Sequence, residues 1–240
     1  MHKKLITACL AVFALAALAL PAISQATNSP VITHPTGTIL KTGTLIEGTN
    51  IGETFMRNTT TGEVTLRCNS ATMTGTLTKN ETGNVQGEIS SAHFTGTGES
   101  GKCTGFINPT VDPLGLGTGV GQGWCLKSTS AMATDEFQVQ GGKCTEAAKK
   151  LEFTLTTGIG RCKYQATKAT LRGTFTTHPS DAVMTIPRSG LTQEEKSTET
   201  GFTKVEDTIP FNPCPSSSYL EMSFTLETDG VANSGVFISS

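Results

Sequence analysis

Hydrophobic residues in this chain recur at every second position, and this period restricts the folds open to it. From residue 220 to 226, Leu220, Met222, Phe224 and Leu226 alternate with polar residues. Successive side chains of a β-strand point to opposite faces, so the pattern predicts a strand with one buried face. The alternation returns at Val64, Leu66 and Cys68, at Phe137 and Val139, at Leu151, Phe153 and Leu155, at Cys162, Tyr164 and Ala166, and at Leu171, Gly173 and Phe175.

Short turn signals such as Gly141-Gly142 and Asp229-Gly230 separate these runs. Only residues 145–150 and 191–196 could form helical turns, and neither carries an apolar stripe. Short strands with frequent turns predict an all-β fold, an antiparallel β-sandwich or a barrel-like arrangement. No linker divides the chain, so we predict one domain over residues 43–240, after an extended N-terminal segment at 27–42.

The first 26 residues have the features of a secretory signal peptide. Lys3 and Lys4 precede 16 mostly apolar residues from Leu5 to Leu20, and Ser24-Gln25-Ala26 offers a small-x-small cleavage site. A bilayer span needs about 20 apolar residues, so the stretch is short for a membrane anchor. We therefore predict a secreted, extracellular protein with no integral membrane segment after the signal is removed.

The charge balance excludes two classes of partner. Removal of Lys3 and Lys4 with the signal leaves 16 of the 18 Lys and Arg residues, against 20 Asp and Glu. A chain with four more negative than positive residues lacks the basic footprint of a nucleic-acid-binding protein and the polybasic patch of a membrane-surface protein.

Six cysteines follow the signal, and an even count in an exported chain predicts three disulfides and no free thiol. They are Cys68, Cys103, Cys125, Cys144, Cys162 and Cys214, and no C-x-x-C motif suggests a metal site among them. Six cysteines allow 15 connectivities, all of which stay open. The spacing favours Cys144–Cys162 around a hairpin-like stretch and Cys103–Cys125 around a Gly-rich loop, which leaves Cys68–Cys214.

One pattern extends over nearly the whole chain and comprises residues 28–37 (NSPVITHPTG), 68–75 (CNSATMTG), 124–126 (WCL), 133–139 (ATDEFQV) and 222–227 (MSFTLE). This pattern resembles that of uncharacterised secreted β-rich proteins from soil actinobacteria. The resemblance supports export and implies a bacterial source, but it brings no activity and no site residues.

The sequence contains no complete catalytic or cofactor-binding motif. Residues 96–103 match a phosphate-binding P-loop except at the last position, where Cys103 replaces the Mg²⁺-binding hydroxyl. The following residues cannot form the helix that such a loop needs, so a Gly-rich turn beside a disulfide is the better interpretation. His34, His93 and His178 lack metal-ligand spacing, and no G-x-S-x-G elbow exists. We predict no catalytic residue, no cofactor and no metal.

Trp124 is the one candidate for a ligand-binding edge. It is the only tryptophan, and it follows a stretch in which glycines alternate from Gly115 to Gly123. Such a stretch has few side chains to pack, so we expect an exposed, mobile loop beside one anchored aromatic. The alternative places Trp124 in the core, and it is favoured because large aromatic residues are usually mostly buried.

Three functions remain open. The first is a non-catalytic extracellular or envelope-associated β domain with a structural or binding role, whose partner would be a cell-envelope or external polysaccharide. The second is a glycan-binding module that uses Trp124, Tyr164 or Tyr219. The third is a secreted hydrolase whose carboxylates converge only in the fold.

Overall fold

The structure is a computed structural model that describes residues 31–33, 37–105, 108–117, 119–132, 135–177, 182–211, 213–228 and 237–239. The predicted signal peptide, His34, His178 and the turn at 229–230 lie outside these residues. The described part contains one α-helix, α1 (Gln193–Thr200), and 17 strands. The strands are β1 (Val31–Thr33), β2 (Leu45–Asn50), β3 (Thr54–Asn58), β4 (Val64–Cys68), β5 (Ser70–Glu81), β6 (Asn84–Thr95), β7 (Thr104–Gly105), β8 (Thr110–Leu114), β9 (Trp124–Thr129), β10 (Glu136–Gly141), β11 (Glu152–Thr157), β12 (Gly160–Ala166), β13 (Thr170–Thr177), β14 (Ala182–Ile186), β15 (Gly201–Asp207), β16 (Ser217–Thr228) and β17 (Phe237–Ser239).

The prediction of an all-β, antiparallel, disulfide-linked fold is confirmed. All the strand neighbours pair in antiparallel fashion. The alternating run at 220–226 lies in β16, where Phe224 and Leu226 are buried and Leu220 and Met222 pack against the core. The period-2 pattern therefore identified both the strand and its buried face.

Strand pairing closes the large sheet on itself. The ring runs from β6 through β9, β10, β13, β14, β16, β2 and β5 back to β6. A second path joins β6 to β16 through β8, β11, β12 and β15. Beyond β16, the strands β3, β4 and β7 extend the sheet. β6 and β16 are both 12 residues long, which gives each enough length to pair with different strands along its course.

Strands of both paths contribute to one core of aromatic, aliphatic and methionine side chains. Phe153 lies between two other aromatic rings, stacked on Tyr164 at 5.2 Å and edge-on to Phe202 at 5.0 Å. The Tyr164 hydroxyl donates a hydrogen bond to the carbonyl oxygen of Pro215 at 2.8 Å, so its polar end is satisfied inside the protein. Burial raises the pKa of the Tyr164 hydroxyl, and the nearby Asp207 carboxylate adds to the effect.

Helix α1 forms in one of the two segments with helical potential. Thr192 accepts a hydrogen bond from the backbone N–H of Glu195, and the Glu195 carboxylate accepts one from the Thr192 N–H, which is a capping box. The other segment, 145–150, makes turns and a single β-bridge and contains no helix. Lys149 in this segment instead forms backbone hydrogen bonds with Gly141 at the end of β10.

Each of the three disulfides joins one cysteine to the next cysteine along the chain. All three predicted pairings are therefore wrong. The bonds are Cys68–Cys103, Cys125–Cys144 and Cys162–Cys214. Every cysteine in the described part of the chain is therefore paired, in agreement with the expected number of bridges.

The sheet topology explains why the predicted pairings fail. The hairpin near Cys162 consists of β11 and β12, and it places Cys162 opposite Leu155, so Cys144 lies outside that hairpin. Cys103 stands just before β7, which pairs with β4 and so meets Cys68 at the end of β4. Cys214 follows β15, the strand that pairs with β12.

Residues 96–103 form a compact turn, as the Gly-rich alternative to a P-loop requires. The Gly96 N–H donates to the Gly101 carbonyl, and the Gly98 N–H donates to the Lys102 carbonyl, both at 2.9 Å. The segment continues into the bridge at Cys103 and then into β7, with no α-helix to present amides to a phosphate.

Within the described residues, none of the helical segments combines the length and the apolar character that a membrane crossing demands.

Candidate functional site

Trp124 lines an open cleft of about 430 Å³, here called the Trp124 cleft. The residue is the first of β9, where it pairs with Ile89 of β6 and with Gly141 of β10. Its side chain is partly buried and packs against the core. The cleft is lined by Leu114, Gly115, Gly121, Trp124, Gly141, Gly142, Lys149, Lys150, Glu152 and Gln165.

The indole N–H is already engaged within the protein. Trp124 Nε1 donates a hydrogen bond to the carbonyl oxygen of Leu114 at 3.0 Å. This bond holds the ring at the end of β8, across the gap that the Gly-rich loop spans. The sequence left two positions open for Trp124, an exposed binding edge and the core. The structure places it between them, with one part against the core and another part at the cleft.

Backbone hydrogen bonds join the two ends of the Gly-rich loop, where β8 ends and β9 begins. The Gly123 N–H donates to the Gly115 carbonyl at 2.6 Å, and the Gly142 N–H donates to the Gly123 carbonyl at 2.9 Å. Gly121 and Gly123 have φ angles of 74° and 108°, which a residue with a β-carbon rarely adopts. Val120 at the tip of the loop is 99% exposed, so the loop reaches solvent as expected.

The segment after β10 forms the opposite wall of the cleft, and two constraints hold it. Gly141 and Lys149 exchange backbone hydrogen bonds of 2.9 and 3.1 Å, which fold the segment back on the end of β10. The Cys125–Cys144 disulfide ties the same segment to β9. Because Cys125 is the neighbour of Trp124, this bridge fixes the wall relative to the aromatic ring.

Three neighbouring strands supply the floor. Leu114 of β8, Glu152 of β11 and Gln165 of β12 lie in one row across the sheet. The Gln165 side-chain amide donates to Glu152 Oε1 at 2.7 Å, and Lys163 Nζ pairs with Glu152 Oε2 at 2.7 Å. Both oxygens of this carboxylate are therefore occupied.

Lys150 differs from the other charged residues of the cleft. Lys149 Nζ donates to Glu146 Oε2 at 2.8 Å, so that cation is neutralised. Lys150 is exposed, and none of the residues that the structure describes forms a hydrogen bond or an ion pair with its ammonium group. The cleft therefore combines an aromatic side chain with a cation that is free to bind.

The carboxylate that lines the cleft, Glu152, and its neighbour Glu146, which pairs with Lys149, have the wrong electrostatics for acid catalysis. The hydrogen bond from Lys163 lowers the pKa of Glu152, against the opposing effect of partial burial, and Gln165 lowers it further. The hydrogen bond from Lys149 lowers the pKa of Glu146. A general acid must retain its proton near the working pH, which requires a raised pKa. Neither carboxylate is suited to that role.

Asp135 is the carboxylic acid with a raised pKa among the described residues. Partial desolvation raises its pKa, the negative charge of Glu136 adds to this, and Arg188 opposes it. Its neighbour Glu136 accepts hydrogen bonds from Arg172 and Arg188 and is not free to act as a nucleophile or base. The pair therefore lacks the two available carboxyl groups that glycoside hydrolysis needs.

The described residues contain one cluster with metal-ligand atoms, and it does not qualify as a metal site. Cys162, Asp207 and Cys214 lie together, but the two sulfurs are bonded to each other. The Asp207 carboxylate accepts a hydrogen bond from Lys204 Nζ at 2.8 Å. His93, the one histidine in the described part, lies on β6 outside this cluster.

The sequence predicted Trp124 and the Gly-rich loop that supplies Gly115 and Gly121, but it did not reveal the charged and polar residues of the cleft. Lys149, Lys150, Glu152 and Gln165 come from segments that pair only in the folded sheet. The one local signal is the Lys149-Lys150 pair close to Cys144, in a segment whose composition favours a helical turn. The order of β8, β11 and β12 in the sheet would have been needed to find the remaining residues.

Comparison with protein families, with characterised proteins and with solved structures finds no significant match to this chain.

Proposed function

We propose that this protein is an exported, non-catalytic binding domain that holds a polysaccharide of the cell envelope or surroundings in the Trp124 cleft. One observation carries the proposal: Trp124 and Lys150, whose ammonium group has no partner among the residues that the structure describes, line the same opening. Aromatic rings stack on the apolar faces of sugars, and neighbouring polar groups bind hydroxyl or carboxylate oxygens.

Two further features support binding rather than catalysis. The cleft is held by a disulfide and by backbone pairing, and a preorganised site loses little conformational entropy when a ligand binds. Glu152 in the cleft and Glu146 beside it are paired with lysines and have lowered pKa values, so they are poor proton donors. The three disulfides are compatible with the oxidising environment that export would provide.

Affinity electrophoresis tests this proposal directly. The protein would be run through gels that contain polygalacturonate, xylan or dextran. We expect at least one polysaccharide to retard it, with polygalacturonate the most effective because Lys150 can pair with a uronate carboxylate. Lys150→Ala should weaken retardation by polygalacturonate several-fold, and Trp124→Leu should weaken retardation by every polysaccharide that binds.

A matched control separates binding from a change in net charge. Lys41→Ala removes one positive charge from the exposed turn before β2, which is not part of the cleft. Trp124 packs against the core, so Trp124→Leu must first be shown to fold, whereas Lys150→Ala alters an exposed side chain alone. The proposal is wrong if no polysaccharide retards the protein, or if Lys150→Ala and Lys41→Ala behave identically.

A further inference from the structure

The interior of the sheet contains two adjoining apolar cavities of about 60 Å³ each. Met73, Ile89 and Met184 line both cavities and thus form the partition between them. The first cavity lies among side chains of both strand paths and is here called the Met cavity. A dry cavity of about 150 Å³ in another protein binds benzene or xenon. Movement of the partition would bring the joined space close to that size.

Methionine is concentrated around this space. Met56, Met73, Met184 and Met222 line the Met cavity, and the chain contains only six methionines in all. Methionine is unbranched, with three rotatable bonds and a polarizable sulfur, so it adapts its shape at low cost. A wall of this kind can move to admit a ligand, which a wall of branched side chains would resist.

One residue of the lining carries a buried polar atom that has no hydrogen-bond partner among the described residues. Thr54 is 5% exposed and lines the Met cavity, and its hydroxyl forms no hydrogen bond with any residue that the structure describes. An unpaired buried hydroxyl is unfavourable, because it has lost its hydrogen bonds to water. Apart from Thr54 and Glu152, whose carboxylate is engaged by Lys163 and Gln165, every residue of the lining is apolar.

From these observations we propose that the Met cavity binds a small, mostly apolar molecule that carries a single hydroxyl or carbonyl oxygen. The apolar body would lie between the methionine side chains, and rotation of the Thr54 side chain would turn its buried hydroxyl toward the oxygen of the ligand. The apolar lining supplies affinity, and the single hydroxyl selects molecules that can satisfy it.

The cavity is close to the surface at two places. Trp124 and Glu152 line both the Met cavity and the Trp124 cleft. On another side, Phe55, Ile186 and Met222 line both the Met cavity and a second surface opening of about 570 Å³. Met222 lies between the interior and this second opening, and its flexible side chain is the part of the boundary best able to move.

Phenol and toluene test the proposal, because they have similar shapes and differ in one hydroxyl group. The full-length mature protein would be labelled with ¹³C at the methionine methyl groups and titrated with each compound. We expect the signals of the four cavity methionines to shift with saturation. The signal of Met132, which follows β9 and lines neither cavity, serves as the internal control.

Thr54→Val separates recognition of the oxygen from filling of the space, since the two side chains have nearly the same shape. This variant should weaken phenol binding by about fivefold and change toluene binding by less than about twofold. Ile89→Phe, which adds volume at the partition, should weaken both. The proposal fails if no cavity methionine responds, if Met132 shifts together with the others, or if Thr54→Val affects both compounds equally. None of these outcomes depends on polysaccharide binding.

Discussion

The two surface openings beside the Met cavity use their charges in opposite ways. The larger opening, here called the charged groove, is lined by Glu53, Arg188, Lys196 and Glu221, and each of these has an oppositely charged partner. In the Trp124 cleft, Lys150 has no charged partner among the described residues, whereas the other charges are paired. Paired charges offer little to a ligand, so a count of charged residues would favour the opening whose charges are already engaged.

The ion pairs of Arg188 behind the charged groove are more deeply buried than the Lys163–Glu152 pair of the Trp124 cleft. Arg188 donates two parallel hydrogen bonds to Glu199 and a further one to Glu136, which also binds Arg172. The Glu136 and Glu199 side chains are only 6% and 12% exposed. Buried carboxylates require such donors, because desolvation otherwise makes their charge very unfavourable.

Loss of Arg188 should have the largest effect on stability. We expect Arg188→Leu to lower the free energy of unfolding by about 3–5 kcal/mol, because it leaves two buried carboxylates short of donors. Urea denaturation would measure the change. Arg161→Leu is the matched control, since Arg161 pairs with Glu206 at the surface and should contribute less than about 1 kcal/mol. Equal losses in the two variants would contradict the structural role assigned to the network.

Removal of the disulfide beside Trp124 should have the next largest effect. The double substitution Cys125→Ala and Cys144→Ala opens a bridge that spans 19 residues, and we expect a loss of about 3 kcal/mol. It should also weaken polysaccharide binding in affinity electrophoresis, since one wall of the cleft loses its anchor.

The bridge at Cys68–Cys103 provides the comparison for that experiment. It spans 35 residues and lies at the β4–β7 edge, so its removal should cost at least as much stability. Its loss should leave binding unchanged under conditions in which both variants remain folded. If both double variants lose binding to the same degree, the Cys125–Cys144 bridge has no specific role in the cleft.

These two regions also show what sequence can and cannot predict. The alternation at 220–226 predicted β16 and its buried face correctly, because the period of a strand is a local property. The number of disulfides was predicted correctly, but their pairing was not. The pairing depends on which strands are neighbours in the sheet. Cys144 lies beside Cys125 only because β10 pairs with β9. Closure of the sheet through β6 and β16 is a long-range property with no local signal.

The candidate site follows the same division. Trp124 could be singled out because it is the only tryptophan and follows a Gly-rich loop. Its half-buried position could not be predicted, since that depends on the hydrogen bond to Leu114 and on the fold of the segment after β10. The pairing of Glu152 with Lys163, which leaves Lys150 as the available charge, depends on the register of β11 and β12.

The smallest expected effect is a dependence of stability on acid pH, and it compares one carboxylate from each opening. Partial burial raises the pKa of Glu221, but hydrogen bonds from Lys196 and Arg57 outweigh it and leave the pKa below its usual value of 4.5. The pKa of Glu152 is lowered by Lys163 and Gln165. A carboxyl group with a lowered pKa binds protons more weakly in the folded state than in the unfolded state. Its contribution is therefore complete above the unfolded pKa and disappears as pH falls through the folded value.

We expect the free energy of unfolding to fall as pH decreases from 5 to 3, and each carboxylate to account for about 1 kcal/mol or less of that change. Glu221→Gln and Glu152→Gln should each flatten the pH profile measured by urea denaturation. Glu99→Gln is the control for the substitution itself, because Glu99 lies at an exposed turn outside both ion pairs, and it should change the free energy of unfolding less than either of the other two substitutions. If Glu221 and Glu152 flatten the profile equally, the two ion pairs stabilise the fold to the same degree. The difference between the openings then lies in Lys150 alone. A profile that none of the three substitutions alters would show that neither ion pair stabilises the folded state.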